Sequence, residues 1–168
     1  VAFADFGLSP EMLAWCRRRG RVVAAAPPPS GLAWHAKPFA MLRTPFLLTA
    51  WLDADCEVRG ELSPLLKAAE AGFAVTRETC RRVGWAAEPV ATGVVAFRRG
   101  NPLVREWARA VLAGRFRGDQ EALNAIADAR HPGVTVLPGR FQRLRLEGDL
   151  DPDALVMHWT GPAGKALV

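Results

Sequence analysis

The chain has 168 residues, of which 50% are hydrophobic and 23% are charged. This length corresponds to one domain, and the composition is that of neither a disordered chain nor a membrane-spanning one. No apolar run reaches the roughly 18 residues that a transmembrane helix needs. Three cysteines without CxxC spacing argue against a disulfide scaffold or a zinc knuckle. The net charge of +5 suits an anionic partner without specifying which one.

Strand-like apolar runs alternate with helix-like segments along the chain. Ser9, Pro10 and Glu11 predict a helix start, since they supply a hydroxyl cap, a first-turn proline and an acid near the positive end of the helix dipole. In chain order we expect strands at 1–6, 21–26, 46–52, 73–76, 92–97, 134–137 and 155–158, and helices at 9–19, 39–42, 61–71, 101–112 and 119–129. This alternation predicts an α/β fold with a mostly parallel sheet and helices on both faces.

Two aspartates end the most apolar of these strands, which runs from Phe46 to Leu52. Asp53 and Asp55 are two residues apart, so in extended backbone they point the same way, and convergent carboxylates suit a hard divalent cation. The spacing alone is a weak signal, because residues 149–153 repeat it. The position is more informative, since open α/β sheets bind ligands at the carboxyl ends of their strands. The alternative is a solvated turn.

Three further segments carry candidate site residues. Gly93 begins a strand, where a glycine permits a ligand or another backbone to approach closely. Asp119 and Gln120 stand at a helix start, although Asp119 could simply be the cap. His158 ends a late strand just before Gly161. A lone histidine there is commonly a core or surface residue, but it would supply a third metal ligand beside two carboxylates.

Taken in order, these segments resemble the nucleotide-sugar glycosyltransferases of the GT-A fold, particularly glycosyltransferase family 8. The matching stretches span nearly the whole chain and are residues 37–42 leading to 51–55, then 92–97, 119–124 and 158–161. The opening stretch 5–9 resembles the second strand of related sequences. We therefore expect residues 1–168 to form a single GT-A-like catalytic domain, with the first strand and its nucleotide-base pocket upstream of Val1.

The resemblance implies a hexosyltransferase-like enzyme that moves a sugar from a nucleotide-sugar donor to an acceptor of unknown identity, with retention of configuration. It implies Mn²⁺ or Mg²⁺ held by Asp53, Asp55 and His158 and bridging the donor diphosphate. The residues that it places around the donor are Lys37, Asp53, Ala54, Asp55, Gly93, Gly161 and Lys165. It assigns catalytic roles near the anomeric carbon to Asp119 and Gln120. Two departures from the family pattern are Thr92 immediately before Gly93, and a four-residue step from Gly161 to Lys165.

The main alternative is a haloacid-dehalogenase-like phosphatase. Such enzymes also place Asp-x-Asp after an apolar strand, which would make Asp53 the nucleophile and Asp55 the acid, with magnesium as the cofactor. Glu57 departs from the Thr or Val that this motif expects. The two hypotheses differ in His158, because the transferase requires it beside both aspartates and the phosphatase does not.

Nucleic-acid binding is the third class considered. Arg17, Arg18, Arg19 and Arg21 form a basic cluster that could meet phosphates. No pattern of stacking aromatic residues accompanies it, and cations are favoured at the end of a helix for electrostatic reasons alone. The sequence therefore predicts no nucleic-acid partner.

Overall fold

The computed structural model describes residues 1–25, 32–79, 86–144 and 152–160. The strands are β1 (Ala2–Asp5), β2 (Arg21–Ala24), β3 (Leu48–Leu52), β4 (Cys56–Val58), β5 (Phe73–Arg77), β6 (Val90–Arg98), β7 (Val134–Leu137), β8 (Arg143–Leu144) and β9 (Val156–His158). The helices are α1 (Pro10–Arg17), α2 (Lys37–Leu42), α3 (Ser63–Glu70), α4 (Pro102–Leu112) and α5 (Asp119–Ile126), with short 3-10 helices at Ala33–Ala36 and Gly139–Phe141. Within these ranges no helix has the length and apolar character that a membrane crossing requires.

The α/β class is confirmed, but the sheets are mixed rather than mostly parallel. The central sheet has the order β3-β6-β5-β7, and β6 runs antiparallel to both of its neighbours while β5 and β7 are parallel. Parallel neighbours need a crossover connection, usually a helix. Strands β5 and β6 are instead antiparallel neighbours, and the described residues of their connection, 78–79 and 86–89, contain no helix. An apolar run indicates burial on both faces of a sheet and does not encode strand direction.

The described strands also form two smaller sheets. Strands β1 and β2 pair in parallel, and the third sheet has the order β4-β9-β8. In that sheet β4 is antiparallel to β9, and β8 is parallel to β9. Strands β4 and β8 were not expected from the sequence, because each has only two or three residues and no clear apolar pattern.

Side-chain caps set the starts of two helices as the sequence predicts. The Ser9 hydroxyl accepts a hydrogen bond from the Met12 amide at 3.3 Å, and the Asn101 side chain accepts one from the Leu103 amide at 2.9 Å. The end of α5 differs, since the helix stops at Ile126 rather than at residue 129. The Ala129 amide instead donates to the Glu88 carbonyl at 2.9 Å, so this stretch bonds across to a neighbouring loop.

Helices cover both faces of the central sheet, as expected, and β6 contributes to both cores. Val95 and Phe97 of β6 belong to the core cluster that includes buried residues of α4 and α5. Val94 and Ala96 belong to the opposite cluster, which includes buried residues of α3. Full burial of a large apolar side chain such as Phe97 contributes about 1.5–3 kcal/mol. The N-terminal half of this doubly buried strand carries Thr92 and Gly93, so these residues have a rigid support.

Candidate metal and donor site

Asp53, Asp55 and His158 converge, as the transferase hypothesis predicts. One ligand atom from each lies within 4.8 Å of the others, and His158 Nε2 is 3.1 Å from Asp55 Oδ1. The convergence is built by the third sheet, in which Cys56 of β4 stands opposite His158 of β9. The Trp159 amide then donates to the Asp55 carbonyl at 2.8 Å, which extends this pairing by one further residue on each strand.

Asp53 is held through its backbone amide and through both of its carboxylate oxygens. Its backbone amide donates to the Gly93 carbonyl at 2.9 Å, which continues the pairing of β3 with β6. Trp51 Nε1 donates to Asp53 Oδ1 at 2.9 Å, and Lys37 Nζ donates to Oδ2 at 2.9 Å. Ala54 is exposed in the turn between the aspartates, where its methyl side chain offers no metal ligand. The carboxylate of Asp53 therefore has a defined orientation.

Lys37 links Asp53 to the second half of the candidate site. The side chain is buried, and its ammonium lies 2.9 Å from Asp53 Oδ2, 3.1 Å from Asp119 Oδ2 and 3.2 Å from the Thr92 carbonyl. Burial lowers the pKa of Lys37, but the charges of Asp119 and Asp53 outweigh that effect and hold the pKa above its usual value. The resemblance implied a lysine beside the donor. Lys37 thus lies between Asp53 and Asp119.

Asp119 and Gln120 are positioned around Thr92. Asp119 Oδ2 accepts a hydrogen bond from the Thr92 hydroxyl at 3.1 Å, and Gln120 Oε1 accepts one from the Thr92 amide at 3.1 Å. Gln120 Nε2 donates to Glu78 Oε2 at 2.8 Å. The helix cap is Gly118, and the Asp119 carboxylate faces Lys37, so the simple cap interpretation of Asp119 is wrong.

Gly93 is a point of close approach, but it is the fourth residue of β6 rather than its start, and side chains rather than a ligand or another backbone approach it. A β-carbon at this position would lie 2.5 Å from His158 Nδ1 and 2.6 Å from Cε1, and 3.2 Å from Gln142 Nε2. Gln142 Oε1 accepts a hydrogen bond from the Val94 amide at 2.7 Å. Among the residues described here, Nδ1 of His158 has no hydrogen-bond partner. The imidazole is thus located by packing on Gly93 and by its contact with Asp55.

The sequence analysis did not predict two residues that contact the candidate site, Glu78 and Gln142. Glu78 follows directly after β5, and a carboxylate just beyond a strand is a signal that could have indicated it. Gln142 lies after a short 3-10 helix, and no local pattern announces it. Gly161 and Lys165 lie outside the described residues.

No family model matches the sequence, and a search of curated proteins finds no match. Several solved structures do match. The glycosyltransferase GlyE of Streptococcus pneumoniae TIGR4 has a TM-score of 0.60 at 16% identity, over 85% of this chain and 41% of that one. An active-site mutant of LgtC has a TM-score of 0.64 at 18% identity, over 93% of this chain and 74% of that one. This chain has the GT-A fold.

Mouse xyloside xylosyltransferase 1 is also similar, with a TM-score of 0.58 at 14% identity over 94% of this chain and 82% of that one. All three are glycosyltransferases. The GT-A chain described here spans less than half the length of the GlyE structure. The TM-scores establish the fold. At identities this low, membership of family 8 stays a prediction.

Proposed function

We propose that this chain is a metal-dependent glycosyltransferase domain that moves a sugar from a nucleotide-diphosphate donor to an acceptor, with retention of configuration. The observation that carries the proposal is the convergence of Asp53, Asp55 and His158 within 4.8 Å on a GT-A fold. A phosphatase that uses Asp53 as its nucleophile has no role for His158. The convergence across more than one hundred residues therefore favours the transferase.

The donor set fits a hard or borderline divalent cation. Two carboxylates and one imidazole supply oxygen and nitrogen ligands, a combination that suits Mn²⁺ or Mg²⁺. Three protein ligands leave coordination positions for water and substrate phosphates. When bound, the cation would neutralise negative charge that develops on the departing diphosphate.

The other residues would orient the reactants. Lys37 keeps Asp53 and Asp119 at fixed positions, because its ammonium contacts both carboxylates. We assign Asp119 and Gln120 to the sugar side of the site, where their side chains would contact hydroxyl groups near the anomeric carbon. Gly93 would allow close approach on the same side. The diphosphate side would be completed by Ala54, Gly161 and Lys165.

The proposal is tested by binding and turnover with Mn²⁺ and a panel of nucleotide sugars. Asp53→Asn, Asp55→Asn and His158→Ala should each weaken Mn²⁺ binding by at least tenfold and abolish release of nucleoside diphosphate, in line with loss of a metal ligand. Glu106→Gln removes one exposed carboxylate from α4 and serves as the control. Equal Mn²⁺ affinity in all four variants would contradict the proposed site.

Beryllofluoride separates the transferase from the phosphatase. In a phosphatase the Asp53 carboxylate is phosphorylated, so beryllofluoride should form a stable adduct with it. In the transferase Asp53 is only a ligand, and no adduct is expected. An adduct on Asp53 together with no turnover of any nucleotide sugar would establish the phosphatase instead.

A further inference from the structure

We propose that Trp51 is a positioning residue of the metal site, whose indole N–H holds Asp53 in the orientation that a cation requires. The inference rests on the proposed function and adds to it a residue that does not itself touch the cation. Trp51 and Asp53 are two apart at the end of β3, so their side chains emerge on the same side of the strand.

Both carboxylate oxygens of Asp53 accept hydrogen bonds from protein donors. Trp51 Nε1 donates to Oδ1 and Lys37 Nζ donates to Oδ2, each at 2.9 Å. The last torsion of an aspartate side chain is broad, so a carboxylate with one donor can still rotate. A donor on each oxygen removes that freedom. An ionised carboxylate has about four lone-pair sites, and those that remain can face a metal ion.

The indole of Trp51 is itself held by its surroundings. Its ring packs against the core cluster that includes residues of α4 and α5, and it meets the ring of Phe6 with centroids 6.3 Å apart. Phe6 follows directly after β1, so the contact connects the two-stranded sheet to the metal site. The indole N–H of a partly buried tryptophan usually finds an acceptor. The acceptor found by Trp51 is a proposed metal ligand, which distinguishes it from an aromatic residue that serves packing alone.

Trp51→Phe removes the N–H and keeps most of the aromatic packing. Loss of a residue that orients a metal ligand typically weakens metal binding by 10–100-fold. We expect the affinity for Mn²⁺ alone, measured by calorimetry on the full chain, to fall by about tenfold. Trp15→Phe makes the same change at an exposed residue whose ring lies beneath Arg19, and it should leave the affinity unchanged.

A spectroscopic measurement tests the contact directly and does not depend on the variant folding. The indole nitrogens of the unmodified chain are labelled with ¹⁵N, and their NMR signals are assigned to individual tryptophans. The signals are then followed during titration with Mg²⁺, which is diamagnetic. The Trp51 indole signal should shift as its acceptor becomes a ligand, whereas the Trp15 signal should not. Because a cation bound to Asp53 should alter this signal whatever the role of Trp51, the shift tests the placement of Trp51 beside the cation, and the Trp51→Phe affinity tests its positioning role.

The outcomes separate this inference from the proposed function. If the unmodified chain binds neither Mn²⁺ nor Mg²⁺, the metal-dependent function is wrong and the role of Trp51 falls with it. If the unmodified chain binds Mn²⁺ and Trp51→Phe binds it equally well, only the positioning role is wrong. An unmoved Trp51 signal at saturating Mg²⁺ overturns the positioning role in the same way. A shifted signal with weakened Mn²⁺ binding in the variant supports it.

Discussion

The imidazole of His158 occupies the space that a side chain at position 93 would need. A β-carbon on Gly93 would lie 2.5 Å from Nδ1, closer than real β-carbons approach other atoms. The Gly93 carbonyl also accepts the amide hydrogen of Asp53 at 2.9 Å. One residue of β6 thus touches both halves of the proposed ligand set, and it sets the spacing between Asp53 and His158.

Replacement of Gly93 by alanine should therefore damage metal binding. The added methyl group must displace the His158 ring, because the neighbouring strand backbone cannot move freely within the buried sheet. We expect Gly93→Ala to bind Mn²⁺ at least tenfold more weakly by calorimetry, comparable to the loss of an orienting partner. Gly139→Ala is the matched control, since no atom lies within 4 Å of a β-carbon there. Unchanged affinity in Gly93→Ala would show that His158 is not a ligand.

Removal of Lys37 should destabilise the fold. Lys37→Met leaves the carboxylates of Asp53 and Asp119 close together without their shared counter-charge. Loss of one partner of a buried ion pair costs about 3–5 kcal/mol. Urea unfolding in the absence of metal should report a loss of that size, while Lys67→Met on the exposed face of α3 should change little.

A double variant tests whether the ion pair is the cause of that loss. Asp119→Asn removes one of the two unpaired charges, so adding it to Lys37→Met should cost less than the sum of the two single changes. Strict additivity of the unfolding free energies would mean that Lys37 acts through packing rather than through its charge.

Cys56 should resist alkylation in the folded chain. Burial, followed by the nearby charges of Asp53 and Asp55, raises the pKa of the Cys56 thiol to about 12. The thiolate is the reactive form, and at pH 8 an ordinary cysteine with a pKa of about 8.5 has far more of it. Peptide mapping after iodoacetamide treatment at pH 8 with EDTA should show Cys56 modified at least a hundredfold more slowly than in urea, given the shift of the pKa.

The same pKa predicts the sign of a stability change. The folded chain keeps its proton on Cys56 more tightly than the unfolded chain, so this contribution is fully present below the unfolded pKa. It is lost as the pH rises from that value towards about 12. Cys56→Ser should therefore unfold with a weaker dependence on pH above 9. An equal dependence in the two proteins would contradict the assignment.

Asn124 supports the strand that carries Thr92 and Gly93. Its Oδ1 accepts from the Val90 amide at 2.7 Å, and its Nδ2 donates to the Val90 carbonyl at 2.8 Å, so the side chain takes the place of a neighbouring strand. Asn124→Ala leaves both buried groups of Val90 unpaired, which should cost about 1–3 kcal/mol for each. Thermal unfolding measures this loss, and Gln142→Ala should show a smaller one, because it leaves only the Val94 amide unpaired.

Local chemistry explains which parts of the fold could be predicted. The helix starts at Ser9 and Asn101 depend on residues within three positions, so the sequence pattern contains them. The direction of β6 could not be read, because its continuous burial is compatible with either orientation. Strand β4 was not predicted because its strand conformation depends on pairing with β9, about one hundred residues later in the chain.

The candidate site also has features that the sequence predicts and features that it does not. The convergence of Asp53, Asp55 and His158 was predicted from a resemblance and is confirmed by geometry. The contact of Lys37 with both Asp53 and Asp119 depends on three separate elements and has no local signature. The sequence therefore predicted which three residues converge, but not the hydrogen-bond and ion-pair partners that hold them.

The pairing of β4 with β9 also determines when the candidate site can form during translation. Asp55 and His158 are separated by 103 residues of chain. At synthesis rates of 5–20 residues per second, roughly 5–20 s pass between the emergence of the aspartate and that of the histidine. Throughout that interval the nascent chain carries Asp53 and Asp55 with Lys37 but without the imidazole. If the proposed metal site is correct, all three side chains can hold a cation only after translation has passed residue 158.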